Sequence, residues 1–133
     1  DISGIAELLG QMGASEAEII SALTVALEGV AARLVFEAMS LVETPYPPAS
    51  MPGEPPHART RRLLGSIRIE DVQPLQVTVA AGGTLAPYAG YLEMGTSIMQ
   101  PRPFMGPAVQ ITESVARESA VDAVNQALGT AFR

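Results

Sequence analysis

The chain has 133 residues, a net charge of −6, 47% hydrophobic residues and no cysteine. That length suits one domain with one ordinary core, and the missing cysteine excludes disulfides, thiolate nucleophiles and Cys-based zinc sites. No uninterrupted apolar run reaches the roughly 18 residues of a membrane span and no basic-then-apolar leader is visible, so the expectation is a soluble protein with no membrane partner.

In chain order, Ile2, Ile5, Leu8, Leu9 and Met12 predict a short amphipathic turn or two, broken at Gly13. Ser15 and Glu18 then fit a capping box. A long helix is predicted from there to about Val42, carrying Ile19, Leu23, Leu27, Val30, Leu34 and Leu41 at helical spacing, and Pro45 stops it. Residues 1 to 43 hold seven acids against one Arg, so this helix is acidic. Residues 44–62 are expected to be an extended loop or protruding arm, because six of the eleven prolines fall within 44–58 and each lacks an amide donor. A segment so long without regular structure favours contact with a partner.

Residues 63–72 and 75–83, LLGSIRIEDV and LQVTVAAGG, change to a period of two and predict two strands joined around Asp71 to Pro74. A brief helix is predicted over Pro87 to Met94. A last helix runs from about Phe104 or Pro107 to Leu128, with Gly129 as terminator; its apolar face is read as Ala108, Ile111, Val115, Ala120, Val124 and Leu128. The fold class is therefore α+β: a long N-terminal helix and a C-terminal helix packed on a small antiparallel sheet, one domain over 1–133.

Candidates for catalysis are few. His57 is the one histidine and sits among prolines and arginines, a poor place to hold a base rigidly. No spaced set of metal ligands, phosphate loop or nucleophile elbow is present, so no enzyme activity, metal or cofactor is expected. All eight basic residues are Arg, and four of them cluster at Arg59, Arg61, Arg62 and Arg68. Guanidinium groups suit bidentate pairing with carboxylate or phosphate, so the cluster reads either as a contact with acidic neighbouring subunits or as the site of a DNA-binding accessory protein. No aromatic residues are interleaved for base stacking, and the net negative charge opposes tight, indiscriminate adhesion to nucleic acid.

Between the strands and the last helix lies YLEMGTSIMQPRPFMGPA, residues 91–108. Gly95 suits a helix end with positive φ, and Pro101 and Pro103 hold the residues before them extended. Glu93 is placed to accept a bidentate bond from Arg102, within the subunit or from a neighbour's Arg. Phe104 then anchors either the core or an interface.

Thr60, Leu63, Ser66 and Ile67, then Tyr88, Tyr91, Glu93, Gly95 and Thr96, then Arg102, Pro103 and Phe104 resemble, in order and spacing, the motifs of the head–tail joining and tail-completion proteins of long-tailed bacteriophages, the gene-product-ten-like family. Arg61 departs from that pattern, standing where the family usually has Gly, which bears on the turn there. The resemblance implies a structural virion protein of the phage neck with no catalytic residues. It further implies a homo-oligomeric ring, expected to be a hexamer, beside other neck or connector proteins and the tail tube, with DNA passing through its lumen without sequence-specific binding. Arg59, Arg61, Arg62, Arg68, Tyr88, Tyr91, Glu93, Arg102 and Phe104 become the candidate assembly residues.

Overall fold

In the computed structural model, which describes residues 15–58 and 61–129, helix α1 spans Glu16–Leu41 and begins where the capping signal places it. The Ser15 hydroxyl accepts from the Glu18 amide at 3.1 Å, satisfying one donor that the first helical turn leaves free. The expected turn around Ile2 to Met12 lies outside the described residues, as do Arg59 and Thr60.

The first strand begins later than the period of two implies. Residues 62–66 form a short helix α2 (Arg62–Ser66), closed by the Gly65 amide donating to the Arg61 carbonyl at 3.0 Å. Its i,i+3 spacing turns Leu63 and Ser66 inward together, and Ser66 then ties α2 to the residues around Gly82: its hydroxyl donates to the Leu63 carbonyl and accepts from the Gly82 amide. The hairpin follows as β1 (Arg68–Gln73) and β2 (Gln76–Ala80), antiparallel, with an irregularity between Ile69 and Asp71. Strand β1 continues into the expected connection, and the chain reverses at Pro74-Leu75, with Leu75 at φ 59. The Leu75 amide donates to the Thr24 hydroxyl on α1 at 3.0 Å. A lone two-stranded sheet is marginal in water, so this seat on α1 is what supports it.

Helix α3 (Ala89–Met94) leads through a loop to α4 (Met105–Leu128), which ends with Gly129 in the left-handed conformation. The fold is α+β, with two long helices and a small antiparallel sheet. The larger contact is between α1 and α4, and the hairpin lies mainly against α1. The two helices run antiparallel, since Ile19 packs with Leu128 at one end while Ala38 and Val42 pack with Phe104 and Ala108 at the other.

The buried stripe of α4 differs from the apolar face read in the sequence. Ala108, Thr112, Ala123 and Leu128 are buried, whereas Ile111 is 46% exposed. On α1 the buried residues include Ala31 and Ala38, with Val25 at 66% and Phe36 at 62% exposure on the outside. Small residues at a helix contact let the two backbones approach, while Ile19, Leu23, Val124 and Leu128 pack together at one end, so side-chain size and hydrophobicity together decide which face turns in. The Thr112 hydroxyl is satisfied by donating to the Ala108 carbonyl. By length and composition alone α1 is also apolar enough to cross a membrane; here it packs along α4 and carries an Arg33–Glu37 ion pair on its surface.

Candidate functional site

The proline-rich segment is a loop closed at its base. The Ala58 amide donates to the Thr44 carbonyl at 2.7 Å, and the Tyr46 amide donates to the Ala58 carbonyl at 3.4 Å. Halfway round, the Gly53 amide donates to the Pro101 carbonyl at 2.9 Å. Ser50 is buried and its hydroxyl accepts from Arg102 Nη1 at 3.1 Å. The loop is thus tied to the 95–104 segment at two points, which costs a stiff, proline-rich chain less entropy than it would a flexible one.

Glu93 does not pair with Arg102. Its Oε2 accepts from the amides of Phe104 at 2.7 Å and Met105 at 3.1 Å, and its Oε1 accepts from Gly106 at 2.8 Å. Helix α4 has no Ser, Thr, Asp or Asn at its start, and Phe104 supplies no side-chain cap, so a carboxylate from α3 takes that place. Three donors left free by the helix geometry and the positive end of its dipole draw the negative group more strongly than one guanidinium does. Arg102 turns the other way: its amide donates to the Leu92 carbonyl at 2.6 Å, its Nη1 meets Ser50, and its enclosed Nε has no acceptor among the described residues.

The loop between α3 and α4 needs Gly95. Its φ of 77 and ψ of 175 lie in a region essentially closed to residues with a side chain, and an added Cβ would stand 2.9 Å from Pro101 Cδ and 3.0 Å from the Met99 carbonyl oxygen. Gly95→Ala is expected to lower stability by about 2–3 kcal/mol, combining backbone strain with a steric clash. Thermal unfolding followed by circular dichroism checks this, and an unchanged midpoint would show that the loop has another conformation open to it.

Arg61, Arg62, Arg102 and Tyr88 converge on one pocket of about 510 Å³, joined by Tyr46 and His57 from the loop. Leu63, Leu64, Leu92 and Pro56 contribute apolar lining. Among the described residues no aspartate or glutamate lines it, and neither Arg61 nor Arg62 makes an ion pair. Arg61 sits at φ 62 and ψ 8 as the residue before α2, the left-handed conformation that glycine adopts at least cost. The turn therefore keeps a glycine-type backbone at the one position where this chain departs from the resembled pattern, and a cation is carried into the pocket mouth at an energetic cost of roughly 1–2 kcal/mol.

The remaining candidates fall elsewhere. Arg68 lies on β1, donates to the Ser66 and Gly82 carbonyls and reaches Glu70 at 3.7 Å, so the four-Arg cluster is not one surface. Tyr91 is exposed on α3, and Phe104 is 1% exposed inside the core with Ala38, Val42, Leu63 and Ile67. Nothing in the sequence points Tyr46, Ser50 and His57 toward this pocket; only closure of the loop brings them there. Among the described residues no group of three or more His, Cys, Asp or Glu side chains is arranged to hold a metal. No family model, curated protein or solved structure matches the chain.

Proposed function

We propose that this chain is a structural subunit of a tailed-phage neck, with no covalent chemistry of its own, which assembles with copies of itself into a closed ring of six that joins the DNA-filled head to the tail and lets DNA pass. What supports the reading most is where the residues carrying the resemblance fall. Leu63, Ser66 and Ile67, then Tyr88 to Gly95, then Arg102 to Phe104 meet in one continuous piece of the fold, as a helix cap, a tied loop and an Arg-lined pocket.

The expected part of the Arg pocket is contact with neighbouring subunits. Replacing Arg61 by Gly and Arg62 by Ala removes both guanidinium groups while leaving the left-handed turn its preferred residue. Heads and tails made with this double variant are expected to stay largely unjoined, with the variant at least as stable as the parent, since glycine takes the left-handed turn at less cost than Arg61. Joining at the parental level, counted by electron microscopy, would take these residues out of assembly. Particles lacking the protein altogether test the wider reading, since a complete collar in its absence would end it.

The DNA-binding alternative has few cations to draw on, because Arg68 is engaged within the subunit, and affinity for DNA rests on the number of phosphates neutralised. No mobility shift with duplex DNA at low salt is expected. A shift that falls steeply with ionic strength would favour the alternative.

A further inference from the structure

The Arg pocket combines cations with an apolar floor. Its cations are positioned, its apolar lining is built from Leu63, Leu64 and Leu92, and no acidic side chain among the described residues lines it. Arg61 and Arg62 are exposed and make no ion pair among the described residues, so they are open to a counter-charge from outside. Deepening the ring reading above, we propose that the pocket receives the acidic start of α1 from a second copy of this chain.

The placement of charge favours that occupant. Glu16 and Glu18 stand exposed in the first turn of α1, and among the described residues neither makes an ion pair. Beside them Ala17, Ala22 and Val25 of α1, with Ala123 and Ala127 of α4, line a shallow apolar groove. An acid-edged apolar surface thus matches an Arg-edged apolar pocket. The two lie at opposite ends of the helix pair: Leu63 and Leu92 pack around Val42 just beyond the end of α1, whereas Glu16 begins it. Twenty-six residues of helix separate them by about 39 Å at 1.5 Å per residue. The patches cannot meet within one subunit, so they pair only between copies. A contact between two different patches is heterologous; it runs head to tail and closes into a ring when the rotation between neighbours permits.

Charge reversal tests this directly, with sedimentation velocity of the full chain as the readout. The wild-type chain is expected to self-associate at low salt and to dissociate as salt is raised. Arg61→Glu/Arg62→Glu in one preparation, and Glu16→Arg/Glu18→Arg in another, are each expected to weaken association by at least roughly a hundredfold, because like charges then face each other. An equimolar mixture of the two should associate again, and so should a chain carrying all four reversals. Wild-type chain that stays monomeric at low salt, a reversed variant that associates like the wild type, or a mixture as monomeric as its components would each overturn the pairing. If a reversed chain fails to fold by circular dichroism, the neutral pair Arg61→Gly/Arg62→Gln decides instead, with weakened association expected and unchanged association fatal. Should the pairing fail while particles lacking the protein still show unjoined heads and tails, the neck reading stands and this inference alone falls.

Discussion

Phe104→Ala is expected to lower the stability of the isolated subunit by about 3–5 kcal/mol, the usual cost of deleting a buried aromatic ring. The ring is 1% exposed and is one of the two largest fully buried side chains among the described residues. Its buried cluster holds Ala38, Ala86, Ala89 and Ala108, whose side chains have no rotamers with which to fill the space left behind, beside Val42, Leu63 and Ile67, which can fill only part of it. Cavities that cannot collapse are the costly ones. For a domain whose whole stability is of the order of 5–15 kcal/mol, that loss approaches unfolding. Urea titration followed by circular dichroism measures it as a fall in midpoint at constant slope. A loss below about 1 kcal/mol, less than burial of such a ring implies, would mean that Phe104 packs chiefly against a partner.

Glu93→Ala is expected to cost about 3 kcal/mol, because one carboxylate serves three amides at the start of α4. Hydrogen bonds to a charged group contribute about 1.5–3 kcal/mol each. The full sum is not lost, since Gly106 is exposed and water replaces part of its bond. Phe104 is buried, and its amide has no such replacement. Glu93→Gln keeps one of the two acceptor oxygens but removes the charge that the helix dipole favours, so its loss should be about 1 kcal/mol smaller than that of Glu93→Ala. Hydrogen exchange gives the local readout: the amides of Phe104 and Met105, which share one oxygen, should exchange faster in the Ala variant than in the Gln variant, while Gly106, left facing the Gln NH2, should lose protection in both. Equal exchange in wild type and Glu93→Ala would show that the carboxylate is not what caps the helix.

Several local features are legible in the residues themselves. Ser15, Gly95 and Gly129 each carry their signal in one residue type at one place in the chain: a hydroxyl at a helix start, and a missing Cβ where φ turns positive. The long helices and the hairpin are legible because their periods repeat over many residues. The exchange of Ile111 for Thr112 on the buried face of α4 is not legible. Hydrophobic scales rank isoleucine as the inward residue, whereas the α1–α4 contact selects a small one there. Glu93 stands out in the sequence as a bonding residue in the right stretch, but with the wrong mate. The competitors for it are one cation two residues before Phe104, visible as a letter, and three backbone amides, which no sequence displays.

Arg61 shows the same division within a single residue. Its departure from glycine is visible as a letter, but the left-handed backbone that makes the departure costly exists only once α2 has formed behind it. By itself the sequence determined the α+β class, both ends of the first long helix, the Gly129 end of the last one and the lack of any thiol chemistry, because these depend on residue type and spacing along the chain. Tertiary structure alone decided that Arg61, Arg62 and Arg102 share a pocket with Tyr46 and Ser50 while Arg68 turns away. That convergence depends on closing a loop between residues some 50 positions apart in the chain, and the direction in which such a loop closes is set by packing and by backbone hydrogen bonds that every residue type carries alike.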